Sequence, residues 1–183
     1  MSFEFIQTEI KDVIAIRYPR YEDERGFFEE RYKFSDFETA GIKWNFVQVN
    51  HSFSRKGVLR GLHYQKYPNE QGKLVMVVRG EIVDVAVDIR AKSETFKKWV
   101  SLNLSKKSRL ALWIPPGFAH GFFATENSNV IYLSTNEFNR EYDSGIRWND
   151  PDIGIKWPTE NPVLSEKDKN LKFLKQRIEQ KEL

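Results

Sequence analysis

The sequence predicts a mostly β protein, folded as a sandwich or barrel, with a few short helices and one helix near the C-terminus. Short runs of β-branched and aromatic residues recur along most of the chain, and several alternate with polar residues at a period of two. Gly, Pro, Asn and Lys/Ser clusters separate these runs at close intervals. Helical spacing is confined to two segments. This order of elements favours packed sheets over alternating strands and helices.

The strand pattern is plainest over residues 82–89, where valines alternate with aspartate and alanine. A strand of this kind has two different faces, because successive side chains point to opposite sides of the sheet. The preceding segment 73–79 is rich in β-branched residues and ends at Gly80, which favours a tight connection. The other predicted strands are residues 27–32, 46–53, 99–104, 110–114, 121–124 and 130–134.

A short amphipathic helix is predicted just after the first of these strands. Phe34 and Phe37 lie three residues apart, Ser35 is a candidate N-cap, and Gly41 supplies a stop.

The C-terminal tail is predicted to form one helix over residues 165–178 that packs on the sheet and frays afterwards. Its apolar face would carry Leu171, Leu174 and Ile178. The turn-rich stretch 139–162 before it is predicted to be an ordered loop. Because no repeat, low-complexity linker or shift in composition divides the chain, we expect a single domain over residues 1–183.

The composition excludes several classes of function. Lys and Arg total 29 against 26 Asp and Glu, and the basic residues are scattered among acids, so no nucleic-acid partner is expected. Cysteine is absent, which removes disulfides, thiolate nucleophiles and cysteine-based metal sites. No apolar stretch is long enough for a membrane span, and the first residues carry acids where a secretory signal has an apolar core. We therefore expect a cytoplasmic protein with no membrane partner.

The chain has only three histidines, and two of them lie in informative surroundings. His63 lies on a predicted strand in the run RGLHYQ, next to Leu62 and close to Arg60, and His120 follows a Pro-Pro-Gly turn. A lone histidine in a β protein is more often a structural hydrogen-bonding residue than a catalyst. A histidine on one strand followed later by a Pro-x-Gly-x-x-His turn, however, resembles the two half-motifs of the cupin superfamily. That resemblance implies a jelly-roll β-barrel.

Metal-binding cupins have a second histidine two positions after the first, followed by a glutamate. Here that position is Gln65, and no glutamate follows at the usual spacing. Because first-row metals favour converging imidazole and carboxylate ligands, His63 and His120 alone would form a poor site. We expect a metal-free interior.

Eight segments, taken in order, resemble the dTDP-4-dehydrorhamnose 3,5-epimerase family. They are DERGFFEE (23–30), QVNHSFS (48–54), RGLHYQ (60–65), GK (72–73), DVAVDIR (84–90), PGFAHGF (116–122), GIRWNDP (145–151) and LSEKD (164–168). The likeness runs from about residue 5 to residue 168. It implies a dTDP-4-keto-6-deoxyhexose substrate, whose ketone acidifies the C–H bonds at C3 and C5, and a reaction that needs no cofactor.

The resemblance also implies the catalytic roles. His63 would be the base, since imidazole changes charge near neutral pH, and Asp168 would hold its other ring nitrogen. Tyr132 would be the acid on the opposite face of the sugar, and Lys73 would stabilise the oxyanion at O4. Asp168 also fits a structural role, because Ser165 stands three residues before it as in a capping box.

The remaining implied contacts hold the substrate. They are Arg25 and Arg60 for the diphosphate, Glu30, Gln48 and Asn50 for the thymine or sugar edge, His120 for the sugar, Lys167 near the nucleotide, Phe138 for stacking, and Asp143. Two of these depart from the family, which usually has Tyr or Trp at the position of Phe138 and Glu at that of Asp143. If Lys73 points inward, Asp84 or Asp88 could neutralise part of its charge.

The resemblance further implies a homodimer in which the amino-terminal region of one subunit reaches the neighbour's pocket. Phe27 and Phe28 supply apolar area there, and Arg25 and Glu30 would then serve the partner's site.

Three alternatives stay open. One is an epimerase of C3 or C5 alone, or a ketoisomerase, on a related dTDP-4-keto sugar. The others are a metal-dependent cupin oxygenase and a non-catalytic jelly roll that binds a sugar nucleotide.

Overall fold

The computed structural model, which describes residues 2–180, is built around two antiparallel sheets that face each other. The strands are β1 (Glu4–Gln7), β2 (Ile14–Arg17), β3 (Arg20–Asp23), β4 (Gly26–Glu29), β5 (Gln48–Ser54), β6 (Leu59–Gln65), β7 (Lys73–Arg79), β8 (Glu81–Asp88), β9 (Trp99–Ser105), β10 (Leu110–Ile114), β11 (Phe118–Ala124), β12 (Ser128–Ser134) and β13 (Asp143–Gly145). The helices are α1 (Phe34–Thr39), α2 (Glu166–Lys169) and α3 (Leu174–Glu179). The predicted mostly β fold of cupin type is confirmed.

One sheet has the order β1-β2-β10-β7-β12-β5 and the other the order β13-β6-β11-β8-β9. The strands β3 and β4 form a separate hairpin. Neighbouring strands in space are often distant in sequence, as in a jelly roll, so residues from far apart in the chain meet between the sheets.

Three apolar clusters hold these layers together. The cluster between the sheets includes Val75, Ala86 and Phe122. A second covers the outer face of the six-stranded sheet with Phe37 of α1, and a third covers the other outer face with Leu174 of α3. The alternation over 82–89 is confirmed, because β8 turns alternate residues toward different clusters.

The predicted C-terminal helix is wrong as a single element. The tail forms α2 and α3, separated by a non-helical stretch over residues 170–173. Tertiary hydrogen bonds hold this stretch, since Arg147 N donates to Lys172 O at 3.0 Å and Leu174 N donates to Asp150 Oδ2 at 2.6 Å. Leu174 is buried as expected, whereas Ile178 is exposed.

The strands β1, β2 and β3, with four residues each, were not predicted. Strands this short show too few alternating positions to give a period. The predicted strand 27–32 is shorter in the structure, where β4 ends at Glu29. Among the described residues, no helix is long and apolar enough to cross a membrane.

A β-bulge in β6 shapes the interior near His63. On β11 His120 pairs with His63 and Phe122 pairs with Arg60, so two steps along β11 match three along β6. Gly61 lies in the extra position with φ of +135°, a conformation that favours glycine. Without the bulge, Arg60 and His63 would point to opposite faces of the sheet, because side chains alternate. With it, both line the same cavity.

Candidate active site

A cavity of about 170 Å³ lies between the two sheets. Its lining comes from both layers: Ser52, Lys73 and Tyr132 from the six-stranded sheet, and Arg60, His63, His120 and Phe122 from the five-stranded one. Five of these seven residues were predicted from the sequence. The arrangement sets a histidine-rich wall against a wall that carries an amine and a phenol.

His63 is paired with Asp168. Its Nε2 lies 2.6 Å from Asp168 Oδ1, and the carboxylate is almost fully buried. Ser165 caps α2 by accepting a hydrogen bond from Asp168 N at 3.1 Å, so the structural role of Asp168 and its contact with His63 coexist.

The carboxylate of Asp168 is held ionised. Burial acts most strongly and raises its pKa, but hydrogen bonds from His63, Ser165 and Gly61, with the charge of His63, outweigh burial and lower the pKa below its ordinary value. Nε2 is the ring nitrogen of His63 that lies at hydrogen-bonding distance from this carboxylate, so Nδ1 is the nitrogen left for another partner.

Lys73 begins β7 and its amine faces the cavity, 5.9 Å from the ring centroid of Tyr132. Burial lowers the pKa of Lys73 to about 8, against the opposing charges of Asp84 and Asp143. The amine is therefore an ammonium at neutral pH that titrates only slightly above it.

Tyr132 lies on β12, in the sheet opposite His63. Burial raises the pKa of its hydroxyl, so the phenol stays protonated at neutral pH and can donate a proton. An imidazole and a protonated phenol thus line the cavity from facing walls.

A second buried histidine–aspartate pair lies beside the first. His120 Nε2 is 2.7 Å from Asp84 Oδ1. The other oxygen of Asp84 is buried and has no hydrogen-bond partner among the described residues, and its charge acts on Lys73. Of the two aspartates expected to neutralise part of the charge of Lys73, only Asp84 contributes to raising the pKa of Lys73. Asp88 instead binds Arg90, Ser93 and Thr95.

Arg60 reaches the cavity from β6 while its guanidinium is anchored on β5. Its Nε donates to Ser54 Oγ at 2.9 Å and its Nη2 donates to Phe53 O at 3.0 Å. These bonds leave the remaining donors of Arg60 for an anion.

The other predicted contacts lie outside the cavity lining. Lys167 forms an ion pair with Asp143, and Phe138 is exposed. Gln48 accepts a hydrogen bond from Phe138 N at 2.8 Å and donates one to Asn50 Oδ1 at 2.8 Å.

Arg25 and Glu30 belong to the hairpin region. Arg25 lies in the β3–β4 turn with its side chain 85% exposed and paired with Asp23, and Glu30 follows β4. Neither lines the cavity of its own chain.

Sequence reasoning missed Ser52 and Phe122 as lining residues. Both could have been found from the period of two, because Ser52 follows Asn50 and Phe122 follows His120 on the same strand face. Among residues 2–180, no group of three or more His, Cys, Asp or Glu side chains is arranged to hold a metal ion.

The fold and the site together define a cupin-type jelly roll whose interior carries paired acid–base groups. The profile of the dTDP-4-dehydrorhamnose 3,5-epimerase family matches residues 7–176. The chain therefore belongs to the dTDP-4-dehydrorhamnose 3,5-epimerase family.

Individual relatives agree with this assignment. The dTDP-4-dehydrorhamnose 3,5-epimerase of Shigella flexneri is 52% identical over 167 residues, covering 90% of this chain and 92% of its own. The crystal structure of the Legionella pneumophila Philadelphia 1 dTDP-6-deoxy-D-glucose-3,5-epimerase, in complex with dTDP-4-keto-L-rhamnose, has a TM-score of 0.91 at 44% identity, covering 94% of this chain and 93% of that one. A 3'-monoepimerase from Streptomyces bikiniensis, in complex with dTDP-quinovose, has a TM-score of 0.90 at 29% identity, covering 97% and 91%.

Proposed function

We propose that this protein is an isomerase that inverts C3 and C5 of dTDP-4-dehydro-6-deoxy-D-glucose, giving dTDP-4-dehydro-L-rhamnose for dTDP-L-rhamnose biosynthesis. The observation that carries the proposal is the His63–Asp168 pair facing Lys73 and Tyr132 across one cavity, in a chain of this family. One domain over residues 1–183 would carry the activity. A nucleotide-sugar substrate fits the cytoplasmic location expected from the sequence.

The chemistry follows from the polarity of the cavity. Nδ1 of His63 removes the proton from C3 or C5. The C–H electron pair forms a double bond between that carbon and C4, and the π electrons of the C4 carbonyl move onto O4. Lys73 stabilises the resulting enolate oxygen, because a fixed ammonium in a shielded site meets the charge where it develops. Tyr132 then donates its hydroxyl proton to the opposite face of the same carbon, and solvent reprotonates the tyrosinate and takes the proton from His63. No electrons enter or leave.

Separate groups of residues would bind the diphosphate, the sugar and the nucleotide of the substrate. We assign the phosphate oxygens to Arg60, whose planar fork suits them, and the sugar to His120. Phe138 would stack on the nucleotide with Lys167 nearby. Gln48, Asn50 and Asp143 would contribute polar contacts around it.

We further propose a homodimer in which the β3–β4 hairpin reaches the partner's site. The hairpin presents an exposed apolar surface of Tyr21, Phe27 and Phe28, with Phe28 66% exposed. An exposed apolar patch of this kind is typical of a protein interface. Within residues 2–180, Arg25 at its tip forms an ion pair with the exposed Asp23 alone, so its guanidinium can turn to a phosphate instead. Glu30, which follows β4, would move with the hairpin.

Subunit mixing tests this arrangement. An equimolar mixture of Arg25→Ala and His63→Ala proteins, exchanged through mild denaturant, is expected to be more active at low substrate concentration than the sum of the separate proteins. In a mixed dimer one site would contain both intact residues if Arg25 acts across the interface. Activity equal to the sum, or a monomeric mass by light scattering, would contradict the proposal.

Solvent exchange tests the reaction itself. With dTDP-4-dehydro-6-deoxy-D-glucose in deuterium oxide, NMR is expected to show deuterium at both C3 and C5. The main alternative is epimerisation of one carbon only, because the chain is also similar to a 3'-monoepimerase. Deuterium at a single carbon would favour that alternative. No label, with the nucleotide sugar still bound, would leave the non-catalytic binding protein as the explanation.

A further inference from the structure

The segment that carries Phe138 is held mainly by amide side chains. It is the 136–139 loop, which follows the end of β12 at Ser134 and a last backbone bond from Thr135 N to Gly72 O. Beyond that bond, side chains make most of the hydrogen bonds to its peptide groups: Gln71 to Asn136 O, Asn136 to Glu137 N, Gln65 and Asn69 to Glu137 O, Gln48 to Phe138 N, and Gln65 to Asn139 N. Asn139 O accepts a backbone bond from Tyr142 N. These side chains replace the backbone hydrogen bonds that a neighbouring strand would supply.

Gln65 makes the largest share of these contacts. It is buried, with 5% exposure. Its Oε1 accepts from Asn139 N at 2.6 Å, and its Nε2 donates to Asn69 O at 3.0 Å and to Glu137 O at 3.2 Å. The site needs an acceptor and a donor on one planar group, which an amide side chain of this length supplies.

Gln65 also connects the loop to the catalytic strand. It lies two residues after His63 on β6, so both side chains leave the same face of that strand. Gln48, from the opposite sheet, holds the amide of Phe138 between the two anchors of Gln65. The loop is thus fixed to both walls of the site. Phe138 is 54% exposed, so packing alone does not set the position of its ring.

We propose that Gln65 is a positioning residue that fixes Phe138 at a set place relative to His63 and so determines nucleotide affinity. The inference rests on the proposed function, in which Phe138 stacks on the nucleotide. Removing the amide releases the loop, and the ring then has to be ordered again when the nucleotide binds, which costs affinity. The chemical step is unaffected, because Gln65 is not hydrogen-bonded to His63, Lys73 or Tyr132.

A double-mutant cycle tests this coupling. Gln65→Met keeps the length and shape of the side chain but loses all three hydrogen bonds. We expect it to raise the Kd for dTDP, measured by calorimetry, and the KM for substrate about tenfold, with kcat within about twofold of wild type. Phe138→Ala should have a similar effect, and the double variant should be no weaker than Phe138→Ala alone. The same change at an exposed glutamine on β1, Gln7→Met, is the control and should change nothing.

A second variant, Gln65→Glu, tests the hydrogen bonds through the pH dependence of dTDP affinity, which a purely structural role of Gln65 would not change. Gln65→Glu keeps the acceptor for Asn139 N, but it can donate only when protonated, and then to one of the two carbonyls. Burial favours the protonated acid, so its dTDP affinity should be close to wild type at low pH and should fall as the pH rises toward about 8. Amide hydrogen exchange of residues 136–139 should accelerate in both Gln65 variants.

The outcomes separate the two proposals. Additive losses in the double variant, or a Gln65→Met protein with wild-type dTDP affinity and wild-type exchange in the loop, would overturn the role of Gln65 while leaving the proposed reaction intact. Unchanged dTDP affinity in Phe138→Ala would overturn the stacking role of Phe138, and the inference with it. If Gln65→Met does not fold, a Gln65→Glu affinity that is independent of pH overturns the inference.

Discussion

His63→Asn is expected to lower the rate of deuterium incorporation at C3 and C5 by about 10²–10⁴-fold, the range typical of losing a general base. Asparagine is polar and no larger than histidine, but it has no basic nitrogen and is too short to replace the contact of Nε2 with Asp168. Because His63 is not expected to bind the nucleotide, the Kd for dTDP should stay within a few-fold of wild type. The measurement is NMR exchange in deuterium oxide alongside calorimetry with dTDP.

Two further variants make this result specific. Asp168→Asn should also slow exchange strongly, because a neutral amide no longer stabilises the imidazolium that forms when His63 takes the proton. His51→Asn is the matched control: His51 lies on an exposed face of β5 and contacts Asn129, and its loss should leave exchange unchanged. Normal exchange in His63→Asn would mean that another residue is the base.

Lys73→Met is expected to lower kcat by about 10²–10³-fold, the usual effect of removing a donor to a developing oxyanion. Methionine fills most of the same volume, so the sheet should stay intact. The wild-type protein should lose activity as the pH rises through about 8, because burial lowers the pKa of Lys73 to about 8 and the neutral amine cannot stabilise an enolate. A pH–kcat profile without a decline in that region would contradict the role of Lys73.

Stability measurements give an independent check on Lys73. Its pKa is depressed in the folded state from 10.5 to about 8, so between these values the unfolded chain binds more protons than the folded one. Stability therefore rises with pH across that interval for the wild type relative to Lys73→Met. Lys107→Met, at an exposed position, should show neither the kinetic loss nor this pH dependence.

Much of the fold was predictable because it rests on local patterns. The two-faced alternation around β8, the β-branched run of β7 and the turn residues between them depend on neighbours in sequence. The prediction failed where distant partners decide the local structure. The tail breaks into α2 and α3 where Lys172 and Leu174 bond to Arg147 and Asp150, which lie more than 20 residues away. Propensity alone cannot weigh such bonds against helical ones.

The site divides in the same way. Spacing alone did not assign Asp168 to His63, since the two lie 105 residues apart; their pairing was expected only from resemblance. The alternation of β8 placed Asp84 on the correct strand face. It did not show that Asp84, and not Asp88, pairs with His120. Gln65 was noticed only as a residue that is not a metal ligand, and its bonds to the 136–139 loop join residues more than 70 positions apart in the sequence.

The sequence by itself determined a mostly β chain without thiol chemistry, with polar side chains at inward positions of its strands and ordered motifs that identify a family. Only the tertiary structure decided which of those side chains share a cavity. The bulge at Gly61 turns Arg60 and His63 to one face, and the facing of two sheets sets Lys73 and Tyr132 opposite them. The physical reason is that strand alternation is a local property, whereas register, bulges and sheet order depend on the packing energy of the whole chain.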